Sequence, residues 1–166
     1  NGFVLIHNYL NLKIKYLSSS EDEDAAYGVS AEYAINEMFT LGATYQDQGN
    51  RGNGDEHSIL GAAARLSLGD FGAAVNYVTE DIKGATDLET ISAALDYQIE
   101  KARIYTSFGF TEGDNDEEIT YYTVGADYAV SGNISTFVEY SDLENKTDNA
   151  NKTEADGFVA GVYYTF

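Results

Sequence analysis

The chain has 166 residues, a formal net charge of -19 and no Cys, Pro or Trp. That is one domain's length or a piece of a larger one, and without cysteine there is no disulfide framework, no thiolate nucleophile and no zinc site built on sulfur. Acidic residues number 28 against 9 basic ones, which repels a phosphate backbone and sets nucleic-acid binding aside. The 14 Tyr and 8 Phe are more rings than a disordered acidic chain carries.

No stretch approaches the ~20 apolar residues of a transmembrane helix. The longest runs, Phe3 to Ile6 and Ile59 to Ala64, are far too short, so a helical membrane protein is excluded. A basic leader with an apolar core is not seen at the N-terminus and the first residue is not Met, so the chain reads as processed or partial.

Residues 1–10 contain a continuous apolar run, Phe3 to Ile6, rather than an alternating one. They fit a plug, a distorted first strand or the tail of a preceding strand, and are expected to be irregular. Alternation begins at Leu12, Ile14 and Tyr16 and continues through Tyr27, Val29, Ala31 and Tyr33, then Phe39, Leu41, Ala43 and Tyr45. Leu60, Ala62, Ala64, Leu66 and Leu68 follow, then Phe71, Ala73, Val75 and Tyr77, then Ile91, Ala93, Leu95, Tyr97 and Ile99. The series closes with Ile104, Thr106, Phe108 and Phe110, with Tyr122, Val124, Ala126, Tyr128 and Val130, and with Phe158, Ala160, Val162, Tyr164 and Phe166. A period of two is that of a strand with two unlike faces.

The pattern predicts about ten strands of roughly nine to twelve residues, the length that crosses a hydrocarbon core when tilted. Soluble sandwich strands cluster near five or six residues. Short turns near residues 35–38, 69–70, 100–101 and 131–133 alternate with longer polar loops at 18–24, 47–56, 83–87, 112–117 and 144–154. The expectation is an all-β fold: an antiparallel up-and-down transmembrane β-barrel, a single domain over residues 1–166. An even strand count places both termini on the turn side. Tyr33, Phe39, Phe71, Tyr97, Tyr128 and Phe166 are expected to form the aromatic girdle there.

The last stretch, Gly157-Phe-Val-Ala-Gly-Val-Tyr-Tyr-Thr-Phe166, resembles the terminal strand signal of Gram-negative outer-membrane porins of the general diffusion type. Ile134-Ser-Thr-Phe-Val-Glu-Tyr140 and Val124-Gly-Ala-Asp-Tyr-Ala-Val130 are similar to the strands before it. The resemblance implies a sixteen-stranded trimeric barrel in the bacterial outer membrane that passes small hydrophilic solutes without a cofactor. It implies as partners outer-membrane lipid and lipopolysaccharide, and the barrel assembly machinery, with Phe158, Val162, Tyr164 and Phe166 as the assembly signal. The chain departs from the family in length and lacks its long inward-folding loop. Two readings stay open: the C-terminal part of a wide porin, or a self-contained ten-stranded barrel. The second would have a backbone radius of roughly 10 Å, narrow enough for side chains to fill, and would act as a structural or adhesive receptor protein through its acidic loops.

Opposite the apolar face the alternation places Lys13, Lys15, Glu32, Arg65, Glu80, Asp96, Arg103, Asp127 and Glu139, the candidate pore-lining set. Charges on such a wall set ion preference, or pair across neighbouring strands and fill the lumen. Arg65 and Arg103 are the candidate basic wall, because a guanidinium stays charged; Glu80, Asp96, Asp127 and Glu139 are expected to oppose them. Glycines inside strands, such as Gly109, Gly125 and Gly161, read as packing devices on a curved wall. The acidic runs at 20–24 and 113–118 lack the calcium-loop spacing and read as solvated surface.

Catalysis is not indicated. Only His7 and His57 could serve as a neutral-pH base. His57 and Ser58 are adjacent, so in a strand they point to opposite faces, and His57 reads as a loop histidine. No HExxH, GxSxG or phosphate-binding glycine loop occurs.

Overall fold

The computed structural model describes the backbone of residues 2–9, 12–21, 24–50, 56–83, 87–114, 117–147 and 151–165, and side chains from residue 26 onward within those ranges save residues 50 and 151. Among the described residues there are eleven strands: β1 (Gly2–Tyr9), β2 (Leu12–Glu21), β3 (Asp24–Ala34), β4 (Phe39–Asn50), β5 (Glu56–Leu68), β6 (Phe71–Ile82), β7 (Leu88–Ile99), β8 (Ala102–Gly113), β9 (Glu117–Ala129), β10 (Ile134–Thr147) and β11 (Asn151–Tyr164). They form one sheet in chain order, each antiparallel to the next. The additional strand is β1. Its apolar run hides the period of two, yet its backbone pairs with β2 without a register break from Gly2↔Ser19 to Tyr9↔Leu12. With eleven strands rather than ten, β1 starts at the loop end, not at the turn end.

Turn chemistry explains the short connections. At residues 35–38 the Asn36 side-chain oxygen accepts from the backbone N–H of Met38 and of Phe39, each at 2.8 Å, an Asx closure. At the two-residue turn 69–70 Gly69 takes φ +58°, the sign that tight hairpin turns require. At 100–101 the same position is Glu100 with φ +53°, a conformation that costs a residue with a Cβ.

At the other end the polar stretches read as loops are in good part strand. β10 and β11 stay paired through Glu144↔Glu154 to Thr147↔Asn151, and β2 and β3 through Glu21↔Asp24. Backbone ladders continue past the apolar band because their polar side chains remain solvated, and ion pairs link the strands: Lys152 to Glu144 at 2.9 Å and Lys146 to Glu118 at 3.5 Å. Lys152 and Lys146 hold the Glu144 carboxyl below its ordinary 4.5, and Glu154 with Glu144 pushes the Lys152 ammonium up.

Directly paired residues share a face, so the register sorts the whole sheet. Phe71, Tyr97, Ile104 and Ala126 form one continuous row across β6–β9; Ala73, Leu95, Thr106 and Val124 form the next. This face carries Leu60, Val75, Ile91 and Phe108, all more than half exposed. No apolar side chain among the described residues is buried: there is no core, and the apolar face lies bare. Charge enters it only toward the loop ends, at Asp47, Asp81, Glu89, Glu112, Glu118 and Asp142 and along the paired ends of β10 and β11, at Glu144, Lys146, Lys152, Glu154 and Asp156. Along β7, from Tyr97 to Glu89, the apolar band spans roughly 20 Å normal to a membrane for a strand tilted ~40°.

Tyr33, Phe39, Phe71, Tyr97 and Tyr128 stand exposed on this face at the turn end, as expected; Phe166 lies outside the described residues. A second aromatic row marks the upper rim, with Tyr27 against Tyr45 and Tyr122 against Tyr140, each pair 6.0 Å between ring centroids. Two aromatic rows bracketing an apolar band is the layout a bilayer imposes on a barrel wall.

Candidate pore-lining face

The opposite face holds the charged residues that alternation assigned to it. Glu32, Arg65, Glu80, Asp96, Arg103, Asp127 and Glu139 all fall on it by register. Lys13 and Lys15 pair in the backbone with Glu32 and Ser30; their side chains lie outside the described residues.

Within this face the charges are organised by neighbouring strands. Nε and Nη2 of Arg103 on β8 both donate to Oδ2 of Asp127 on β9, at 2.8 and 2.5 Å. Asp127 therefore does not oppose Arg103 across a lumen. It pairs with it within one wall, because the register places the two directly opposite. Arg103 also lies 5.1 Å from the ring centroid of its neighbour Tyr105, within cation–π range. Arg65, by contrast, makes no ion pair among the described residues, so only one of the two expected basic groups is left unpaired.

The Tyr105 hydroxyl donates to Glu139 Oε2 at 2.9 Å. The two residues sit on β8 and β10, with Gly125 of β9 directly between them in register. Two strand spacings are about 9.6 Å, and the side chains meet only because the intervening position has no Cβ; one placed there would stand inside the Tyr105 ring. The same device recurs with Tyr121 over Gly109 and Phe137 over Gly161, and Asp96 lies over Gly72. Phe137 also stacks on Tyr163 at 4.8 Å between centroids.

His57 is in β5, not in a loop. Its Nε2 lies 3.2 Å from Oε2 of Glu80 on this same face, while Ser58 falls on the apolar face, so the two adjacent residues are not a base and nucleophile. His7 lies outside the residues with described side chains. Hydroxyls fill much of the rest: Thr90 bonds Thr111 at 2.8 Å and Thr123 bonds Ser141 at 3.0 Å. Over β3–β6 small residues leave a depression of about 340 Å³ lined by Ser30, Glu32, Gly42, Thr44, Ala63 and Asn76. Tyr105, Tyr121 and Phe137 are absent from the set read off the sequence, although Tyr105 lies in the same alternating series as Arg103 and Ser107.

On β11 the expected assembly residues Phe158, Val162 and Tyr164 are the most exposed of the large apolar side chains, at 71, 66 and 65%. Among the described residues β11 has β10 as its only neighbour, and β1 has only β2. Among the described residues the sheet is open, with β1 and β11 as its edges.

The family model for Gram-negative porins matches residues 8–150. The outer membrane porin PhoE of Salmonella typhimurium is 26% identical over 187 residues, covering 95% of this chain and 53% of the relative, so the chain spans about half the length of the curated protein it matches. Among solved structures, a loop L8 deletion mutant of OmpT, an outer membrane protein of Vibrio cholerae also solved in a trimer form, superposes with a TM-score of 0.79 at 14% identity, over 99% of this chain and 62% of that one. The KdgM porin superposes with a TM-score of 0.60 at 16% identity, over 99% of this chain and 91% of that one. A two-faced meander without a core, bracketed by aromatic rows and matched by the family model over most of its length, has one reading: the chain belongs to the Gram-negative porins, proteins of the bacterial outer membrane.

Proposed function

We propose that this sheet is a sector of the wall of a water-filled pore through which ions and small hydrophilic solutes diffuse down their gradients, with no catalytic step and no cofactor. The observation that carries the reading is the sorting of the two faces: an exposed apolar face free of charge at mid-depth, backed by a face with Arg65, Glu80, Asp96, the Arg103–Asp127 pair and Glu139. A sheet with free edges cannot stand in hydrocarbon, since each unpaired N–H and C=O there costs several kcal/mol. Further strands or further copies must close it. The closer superposition on the Vibrio cholerae chain, of which this one covers 62%, than on the KdgM porin, of which it covers 91%, supports a sector of a larger barrel.

Partners follow from the same faces. Membrane lipid and lipopolysaccharide cover the apolar band, and a homotrimer is the assembly favoured by the family. The aromatic edge strand β11, with Phe158, Val162 and Tyr164, is the segment offered to the barrel assembly machinery. Detergent-extracted protein is to be tested in planar bilayers beside an intact-mass determination. Stepwise conductance from a species above 18.1 kDa is expected; a silent species of 18.1 kDa would overturn the reading in favour of a narrow barrel working through its loops. Arg103→Ala leaves Asp127 unpaired, and Arg65→Ala removes an unpaired cation. Both shift the reversal potential in a salt gradient toward cation preference, and unchanged potentials would remove these residues from the pore wall.

A further inference from the structure

We infer that the apolar face of β6–β9 carries a binding site for one zwitterionic phospholipid of the turn-side leaflet, with an acyl chain in a groove near the turns and the headgroup on Asp70, Glu100 and Lys101. The inference rests on the reading of the apolar face as the one that meets lipid, not on conduction along the other face.

A depression of about 220 Å³ opens on the apolar face, walled by Phe71, Leu95, Tyr97, Ile104 and Val124 with Thr106 among them. The register accounts for it. Leu95, Thr106 and Val124 form one row, and Phe71, Tyr97 and Ile104 the next toward the turns, so the shortest of the six side chains is surrounded by longer ones. The Thr106 hydroxyl donates to the Thr123 carbonyl oxygen at 2.9 Å, which satisfies its polar group within the sheet. Lipid tails are as apolar as the wall, so no hydrophobic gain distinguishes one part of the face from another. Packing does. Left empty, the depression forfeits dispersion contacts for every side chain around it, and an acyl chain lying in it recovers them. Phe108 and Tyr122, paired in the row beyond Thr106, are both large and close the far end. Toward the turns, Ala126 beside Ile104 and Ala102 beside Tyr128 are short enough to leave the way open.

The depth is that of a chain rather than a headgroup. Ile104 and Thr106 stand three and five residues from Lys101, roughly 8 and 13 Å along the membrane normal for strands tilted ~40°. At the mouth of the groove Gln98 ties two turns together: its backbone N–H donates to the Asp70 carbonyl oxygen and its side-chain amide to the Glu100 carbonyl oxygen, each at 2.8 Å. Asp70, Glu100 and Lys101 are thereby brought side by side, and none of them makes an ion pair among the described residues. Lys101 is the one cation in the short turns at 35–38, 69–70, 100–101 and 131–133. A lipid phosphate suits this ammonium, and a primary ammonium on the same headgroup donates to the two carboxylates. A lipid with a phosphate and no amine meets two like charges for one opposite, which disfavours it.

Native mass spectrometry of the protein in its extracted assembly, released from vesicles of equal parts phosphatidylethanolamine and phosphatidylglycerol, tests the site. One retained phospholipid per protomer is expected, with the ethanolamine lipid favoured about five-fold, the order of one exposed ion pair. Thr106→Phe, which fills the depression, is expected to abolish retention, while Thr106→Val, which keeps its shape, and Ala62→Phe, elsewhere on the same face, preserve it. Asp70→Asn with Glu100→Gln should move the preference to phosphatidylglycerol; both lie in exposed turns and guard against a Thr106→Phe that fails to fold. Retention unaltered by Thr106→Phe, or equal retention of the two lipids in the unmodified protein, would overturn the site. Assemblies that carry no phospholipid and dissociate in Thr106→Phe would give the groove to a neighbouring copy and overturn it as well. Those results leave the lipid-facing assignment and the pore standing, whereas protein that does not enter the vesicles would remove that assignment and the site with it.

Discussion

The Tyr105–Gly125–Glu139 line makes a quantitative demand on stability. Gly125→Ala puts a methyl group where the Tyr105 ring now lies, so the ring must swing off β9 and its hydroxyl must leave Glu139, 2.9 Å away. A hydrogen bond to a charged group is worth about 1.5–3 kcal/mol, the lower end applying to this half-exposed site. Displacing the ring adds about 1 kcal/mol for forced rotamers. Gly125→Ala is thus expected to cost about 2.5 kcal/mol and Tyr105→Phe about 1.5 kcal/mol. In the double variant the hydrogen bond is already gone, so the two costs should fall short of additivity by about 1.5 kcal/mol. Urea-dependent folding into lipid vesicles, followed by the gel-mobility difference between folded and unfolded barrels, measures all three. Additive costs, or an unaltered Gly125→Ala midpoint, would refute the claim that the missing Cβ at residue 125 exists to let β8 reach β10.

Three further outcomes are expected of the same wall. Val124→Arg, on the bare apolar face at mid-depth, should lower folding stability by ~2–4 kcal/mol while Thr123→Arg on the other face changes it little; equal costs in the vesicle assay would mean the faces are misassigned. Glu100→Gly should stabilise by about 0.5–1 kcal/mol, because relief of the left-handed φ outweighs the added chain entropy, and a lower urea midpoint would contradict it. Glu144 is held below 4.5 by Lys152 and Lys146, so its contribution to the paired end of β10–β11 is complete above that pH and is lost as pH falls through the lowered value. Hydrogen exchange over residues 144–147 and 151–154 should accelerate only below pH 4.5, and acceleration already at pH 6 would show that the ion pairs do not hold this end.

The faces were legible because side-chain direction in a strand has a period of two, and a wall with lipid on one side and water on the other writes that period into every strand. The charged residues from Glu32 to Glu139 share one face for that reason. The strand count exceeds the alternating pattern by one where the signal is lost: in β1 the apolar residues occupy both alternate positions, so nothing in Phe3 to Ile6 marks a face, and only pairing with β2 reveals the strand. Strand length was misjudged where polarity and conformation part company. Glu144 to Thr147 are hydrophilic enough for a loop, yet the ladder continues because β-pairing above the membrane is sustained by cross-strand ion pairs rather than by burial. Asp127 was placed on the correct face and given the wrong opposite number, since facing is local while partnership depends on register.

Register is the property that a period of two leaves open. Sliding β9 by two residues against β8 keeps every apolar side chain on the apolar face, so the hydrophobic pattern does not oppose it. The bulky groups of the polar face do oppose it. In the observed register Tyr105 lies over Gly125 and Tyr121 over Gly109; a slip of two puts Tyr105 opposite Thr123 or Asp127, and Tyr121 opposite Ser107 or Thr111, where a Cβ already occupies the space the ring needs. Both rings would be displaced at once, and Arg103 would lose its carboxylate opposite. Phe137 over Gly161 imposes the same condition on β10 and β11. The glycines that weaken each strand locally therefore select one alignment among those that lipid would accept.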